Sequence, residues 1–330
     1  MTAESKGIHG DPISESAPAL LTHPRDRDRL IRMQGTPLVP QLVEMVSERF
    51  FERSTRLDLL RNAVQVGPRQ YPDLERRLER LCNRLGMADK PDFYVSPDAN
   101  CNAWVSGVRK HQIVATSGLL DYMTEKEVDF ILAHELGHAR AEHMKWKMVA
   151  ATLTSLGLAG ITAVAQSTTG MLGGVMQAGS LAAALAATAA ILDWSRAAEF
   201  TADRYGYLGI MDPDVSCMAL AKLIATSTTL AGSFSISELE NQAGRLEDLE
   251  TSSMLGRLTR LLSMLEETHP MIPQRTVALR EWSGSKVAKE VAAGRTFQAP
   301  PAPGLPGTSS SPPTPPPTPP PIAPPNSNLA

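Results

Sequence analysis

Apolar residues recur at intervals of three and four in Leu42, Val43, Val46 and Phe50, and again in Leu74, Leu78, Leu81 and Leu85. That spacing lines one face of an α-helix and predicts an N-terminal helical layer. The period then shortens. Phe93-Tyr94-Val95, Asn102-Ala103-Trp104-Val105 and Gln112-Ile113-Val114-Ala115 are short runs set off by the turn-formers Pro97, Asp98, Asn100 and Gly107, and they read as a small sheet of about three strands. Three strands are too few for a sandwich or a doubly wound fold, so the predicted class is α+β and mostly helical. After Thr124, whose hydroxyl can cap a helix with Glu127 as its capping-box partner, Val128, Ile131 and Leu132 carry a helix onward through residues 134–138.

From Met148 to Leu192 there are 45 consecutive residues without a charge, where the chain average of 20% would place about nine. The stretch divides at Gln166-Ser-Thr-Thr-Gly170 into two halves of roughly bilayer-spanning length. Lys145 and Lys147 precede it, Arg196 follows it, and Trp146 and Trp194 sit at its edges. These flanks suit a helical hairpin in a lipid bilayer with both ends on the cytoplasmic face. The abundance of Ala, Gly, Ser and Thr equally suits a buried hairpin of a cytoplasmic protein, and both readings stand.

Composition bounds the rest. The start, 1–27, carries Glu4, Lys6, Asp11 and Glu15 before any apolar run, which argues for disorder and against an export signal. The end, 299–330, holds 14 prolines in 32 residues and no charge. It reads as a disordered polyproline II tail, a solvated spacer or a ligand for a proline-recognition module. A catalytic domain is thus expected over 28–298. With 32 basic against 35 acidic residues there is no electrostatic footprint for nucleic acid. Cys82, Cys101 and Cys217 form no C-x-x-C pair, so neither a disulfide framework nor a cysteine zinc site is indicated.

The chemistry lies in His134-Glu135-Leu136-Gly137-His138. One helical turn apart, His134 and His138 share a face and can hold one tetrahedral Zn²⁺ per chain. Glu135 projects beside the metal, where its carboxylate can take a proton from a metal-bound water. Chance would produce this motif on the order of 0.01 times in such a chain. A hydrolytic zinc takes three protein ligands, and His9, His23, His111, His143 and His269 are the other histidines. Beyond the uncharged stretch, Glu199 and Asp203 lie four apart on one helical face. Glu199 is the candidate third ligand, and Asp203 is placed to fix the outer nitrogen of a liganding imidazole. Alone, such a pair is more often an ordinary solvated face; the preceding motif gives it weight.

Five stretches in order resemble metallopeptidase family 48, the HtpX-like and CAAX-prenyl-protease-type zinc endopeptidases. They are Asn102-Ala103-Trp104, Thr116-Ser-Gly-Leu-Leu120, His134-Glu-Leu-Gly-His138, Glu199-Phe-Thr-Ala-Asp203, and His269-Pro270 with Arg275. The resemblance covers roughly Tyr71 to Trp282. It implies a gluzincin-like zincin domain in which His134, His138 and Glu199 bind zinc, Glu135 is the base and Asp203 supports a ligand. It also implies that the Asn102, Ala103 and Trp104 segment is an edge strand on which an extended polypeptide pairs its backbone, and that His269 is an extra metal or transition-state contact. Trp104 is as readily a core aromatic, Arg275 pairs with a site carboxylate or is solvated, and Tyr205 is an oxyanion donor or a structural tyrosine. Unlike membrane members of that family, 1–100 has no spanning helix, so membrane attachment would rest on the hairpin. The function expected is a zinc metalloendopeptidase; the alternatives are a non-catalytic zinc-stabilised scaffold or chaperone-like protein and an amidase for small substrates.

Overall fold

The computed structural model describes residues 18–36, 39, 48–151, 174–225, 230, 233–251 and 271–293. His9, His269 and the proline-rich tail lie outside them, as does 152–173, which comprises most of the first half of the apolar stretch and its turn.

Two helices open the described part of the chain: α1 (Pro18–Leu21) and α2 (Pro24–Gln34). Pro24 stands in the first turn of α2, where its missing N–H costs nothing, and the His23 ring caps it by accepting from the Arg25 N–H at 3.1 Å. Residues 18–27, expected as part of a disordered start, therefore lie in or beside helices, and Asp26 among them is buried. Helix α3 (Glu48–Asn62) leads into a two-residue strand β1 (Val64–Gln65), and α4 (Pro72–Arg84) buries Leu78 and Leu81. Strands β2 (Asp92–Ser96), β3 (Ala103–Ser106) and β4 (Gln112–Thr116) follow.

Among the described residues the sheet thus has four strands where about three were expected; two-residue β1 is too short to carry a period. The order is β1-β2-β4-β3, with β2 and β4 parallel and the other pairs antiparallel. Side chains alternate across it. Phe93, Val95, Ala103, Val105, Ile113 and Ala115 enter the main core, while Tyr94, Val114 and partly buried Trp104 pack on the opposite face with Leu59 of α3.

After α5 (Ser117–Tyr122), α6 (Glu125–Arg140) starts on a full capping box: Thr124 Oγ1 accepts from Glu127 N–H, and Glu127 Oε2 accepts from Thr124 N–H at 2.7 Å. Phe130, Leu132 and Leu136 of α6 are fully buried, each worth about 1.5–3 kcal/mol. The long α7 (Gly174–Ile210) runs antiparallel to α6, and α8 (Pro213–Lys222), α9 (Ile236–Thr251), α10 (Ile272–Ser283) and α11 (Lys286–Ala292) complete the described chain. Helices α6 and α7 approach closely because glycine stands at the crossing. A Cβ on Gly137 would lie 2.6 Å from Tyr205 Cβ, and one on Gly206 would lie 2.7 Å from the Phe130 ring. Tyr205 is buried in this contact.

The second half of the apolar stretch is the beginning of α7. Ala187, Ile191 and Leu192 pack with Met33 of α2 and with Val149 and Ala150 in a second core. Among the described residues no helix is long and apolar enough to cross a membrane. Trp194, read as an interfacial anchor, is instead fully buried, its indole N–H donating to Asp26 Oδ1 at 2.9 Å.

Candidate active site

Helix α6 presents His134 and His138 toward α7, which presents Glu199 and Asp203 one turn apart. His134 Nε2 lies 3.3 Å from Glu199 Oε2, and His138 Nε2 lies 3.2 Å from Glu199 Oε1. One ligand atom from each of His134, His138 and Glu199 falls within 4.8 Å of the others, and all three residues are buried. Glu135 Oε1 is 4.0 Å from His134 Nε2, beside this group and not part of it.

Two observations fit a cation here. Buried His134 Nε2 makes no hydrogen bond, although a carboxylate oxygen is 3.3 Å away; a buried nitrogen is seldom left so unless it serves as a ligand. The ammonium of Lys147, from a helical stretch beginning at residue 144, stands in for one: its Nζ is 2.5 Å from Glu199 Oε1 and 3.2 Å from His138 Nε2. A metal ion held by His138 and Glu199 would take the place of that ammonium. Lys147, expected to flank a membrane hairpin, is turned into the site instead.

The electrostatics follow from the partners. Burial opposes ionisation of Glu199, but the Lys147 ammonium, His138 and the Arg275 guanidinium hold its carboxyl well below the usual range. Burial likewise disfavours a charged His134, yet its contact with Asp203 and the negative charges of Glu199 and Asp203 raise it to about 9. Burial and Lys147 push His138 well below its ordinary value. Metal binding needs neutral imidazoles, so an ion held here would have to displace the proton that the carboxylates favour on His134.

Behind His134, Asp203 Oδ1 lies 3.0 Å from Nδ1, and Arg275 grips Asp203 through Nε at 2.8 Å and Nη2 at 2.6 Å. The same guanidinium reaches Glu199 Oε2 at 3.1 Å through Nη1. Arg275 has no exposed surface, so of its two readings the fold realises the pair with site carboxylates.

Behind His138 stands a set that sequence reasoning missed. His138 Nδ1 is 3.0 Å from His143 Nδ1, and His143 Nε2 is 3.1 Å from Asp26 Oδ2. Asp26 also accepts from Thr201 Oγ1 at 2.6 Å and from Trp194. The end of α6 brings His143 there. Glu142 adopts a left-handed conformation (φ 58°), Glu142 N–H reaches Ala139 O at 3.2 Å and His143 N–H reaches His138 O at 3.0 Å. This Schellman turn folds the chain back over the helix end. The only sequence signal was a histidine five residues after the motif; for Asp26 there was none.

Other candidates sit apart. His111 Nδ1 contacts Gly107 O at 2.8 Å, and His23 caps α2. β3 is an edge of the sheet, with Ala103 and Val105 in the same core as Leu132 and Leu136 of α6. Asn102 O accepts from Thr116 N–H at 3.0 Å, so antiparallel alternation directs the N–H and C=O of Ala103 and Val105 toward the open edge. Trp104 is on the far face.

Known proteins resemble this chain over much of its length. The chain is 29% identical over 285 residues to the plastoglobule-localized metallopeptidase 48, chloroplastic, of Arabidopsis thaliana, covering 83% of this chain and 78% of that protein. It is 28% identical over 230 residues to a protease HtpX homolog of Campylobacter curvus, covering 67% and 78%. Against the HtpX homolog of Ralstonia nicotianae the identity is 29% over 175 residues, 49% of this chain and 59% of that one. No solved structure gives a significant match. A sequence model of Peptidase family M48 matches residues 68–283, from before α4 to the end of α10, and the chain belongs to that metallopeptidase family.

Proposed function

We propose that the protein is a zinc-dependent endopeptidase that cuts extended or misfolded polypeptide chains. The observation that carries this reading is the gathering of His134, His138 and Glu199 ligand atoms within 4.8 Å, with Glu135 beside them. Two imidazoles and one carboxylate suit zinc and leave a coordination position for water or substrate. Bound there, the metal supplies Lewis acidity toward a scissile carbonyl and lowers the pKa of water. Glu135 takes the water's proton and hands it to the leaving amine. Asp203 orients His134, and Arg275 holds Asp203 and Glu199 in register. The substrate pairs its main chain with the open edge of β3, where affinity comes from backbone hydrogen bonds and side-chain selectivity is low.

A zinc-stabilised scaffold is less well supported. A structural zinc is closed by four protein ligands and has no use for a base, whereas three such residues gather among the described ones. The test is a pair of variants. Glu135→Gln is expected to bind zinc stoichiometrically and lose digestion of unfolded casein by at least about 100-fold; His138→Ala is expected to lose both metal and digestion. Full proteolysis by Glu135→Gln would overturn the mechanism, and cleavage limited to very short peptides would favour an amidase.

A further inference from the structure

We infer that His143 and Asp26 form a positioning pair that sets the tautomer and orientation of His138, so that the N-terminal helix α2 completes the metal site. The inference rests on the reading of His138 as a metal ligand. It goes beyond that reading because Asp26 lies outside residues 68–283, the part of the chain matched to the peptidase family.

The hydrogen positions follow from matching a donor with an acceptor at each contact. His138 turns Nε2 toward Glu199 Oε1 at 3.2 Å, on the side of the other ligand atoms. For Nε2 to offer a lone pair to a metal, the ring's proton must sit on Nδ1. There it donates to His143 Nδ1 at 3.0 Å. His143 then carries its own proton on Nε2, and that N–H donates to Asp26 Oδ2 at 3.1 Å. Asp26 closes the chain as an ionised acceptor, since the Trp194 indole N–H at 2.9 Å and the Thr201 hydroxyl at 2.6 Å donate to its two oxygens. Every donor has an acceptor, and a single assignment of protons satisfies all four contacts.

The surroundings hold this chain rigid. His138, His143, Asp26, Trp194 and Thr201 are all buried, and the His143 and Trp194 rings meet edge to face at 5.6 Å between centroids. Helix α2 is fastened to α7 by His23 N–H to Thr201 Oγ1 at 2.9 Å and by Arg29 to Asp193 at 3.1 Å. Outer partners of this kind typically carry 10–100-fold in metal affinity.

The test compares full-length wild type, His143→Ala, His143→Gln and Asp26→Asn by zinc competition against a chromophoric chelator, by the visible spectrum of the Co²⁺-loaded protein, and by casein kcat and KM. His143→Ala and Asp26→Asn are expected to bind zinc 10–100-fold more weakly and to shift the Co²⁺ bands. They should lower kcat more than they change KM. Glutamine offers one acceptor and one donor in place of the two ring nitrogens, so His143→Gln is expected to recover a large part of the affinity. A folded His143→Ala with native zinc affinity and an unchanged Co²⁺ spectrum would overturn the inference. If His143→Ala does not fold, the same two readings on the isosteric Asp26→Asn decide. Wild-type protein that binds no metal defeats the metal-site reading itself, a result distinct from either.

Discussion

The two imidazoles on α6 are backed in different ways. His134 leans on Asp203, four residues from Glu199 on the same helix, and the Asp203 carboxylate is fixed by a guanidinium. His138 leans on His143 and, through it, on Asp26, 117 residues distant from His143 in the chain. The first arm is a compact ion cluster inside the matched family region; the second is a chain of hydrogen bonds that reaches out to a separate helix. The difference teaches that one metal-binding motif can draw its rigidity from two unrelated sources, charge pairing on one side and tertiary docking on the other.

The comparison breaks most visibly at Arg275. Replacing it with methionine leaves two buried carboxylates, Asp203 and Glu199, without the guanidinium that both contact. Removing one partner of a buried ion cluster costs about 3–5 kcal/mol. Urea unfolding in chelator is expected to show a loss of this size for Arg275→Met, and a loss of only about 1–3 kcal/mol for Asp26→Asn, which disturbs hydrogen bonds. Equal losses would mean that the two arms do not differ as described.

The next effect lies between the arms. Gly137→Ala forces a methyl group against Tyr205 at the crossing of α6 and α7, and overpacking of this kind costs about 1–3 kcal/mol. The strain moves Glu199 relative to both histidines, so zinc titration should show weaker binding along with a lower melting temperature. Restoration of affinity by the double change with Tyr205→Gly, which removes the Cβ that the new methyl group meets, would locate the cause in that contact.

Much of this was legible in the sequence wherever the relation is local. The capping box, the one-turn spacing of His134 and His138, and the four-residue spacing of Glu199 and Asp203 are consequences of helical period, which a sequence displays. The fold brings these residues together because α6 and α7 run antiparallel at glycine distance, and what joined them in the sequence was the zinc's need for a third ligand and the resemblance, not the period. What was illegible is tertiary. The turn that swings His143 over His138 has glutamate where glycine usually marks such a stop. Asp26 sits in a polar, charged segment that reads as disorder until α7 is present to bury it. The Ala- and Gly-rich stretch before Asp193 satisfies a bilayer and a protein core about equally, and among its described residues Ala187, Ile191 and Leu192 share a core with Met33 of α2.

Acid should loosen one arm before the other. Burial, with Arg204 and Arg25, depresses His23 from 6.5 to about 4, while Asp26 and Asp203 act in the opposite direction. The unfolded chain therefore takes up this proton first on acidification. The stability held by neutral His23 is complete above pH 6.5 and is lost as pH falls toward about 4. The ring is only partly buried, which limits the loss to about 1 kcal/mol or less. Asp26, held below its ordinary 3.8 against burial by His143, Thr201 and Trp194, adds a loss only at lower pH. Because His23 caps α2, the effect should fall on the Asp26 arm. His23→Asn keeps a capping acceptor without a titrating ring, and its urea midpoint should vary less than that of wild type between pH 6.5 and 4.

The smallest effect tests how the second arm is set up in the chain itself. Glu142 is exposed and holds φ at 58°, a conformation that costs a residue with a Cβ about 1 kcal/mol and glycine almost nothing. Glu142→Gly is therefore expected to keep the hydrogen bonds from residue 142 to Ala139 and from His143 to His138, to raise stability by up to about 1 kcal/mol, and to leave zinc affinity unchanged. The gain is partly offset because glycine also loosens the unfolded chain. A fall in zinc affinity without a fall in stability would mean that the left-handed turn positions His143 only when a side chain restricts it, and would make Glu142 part of the arm.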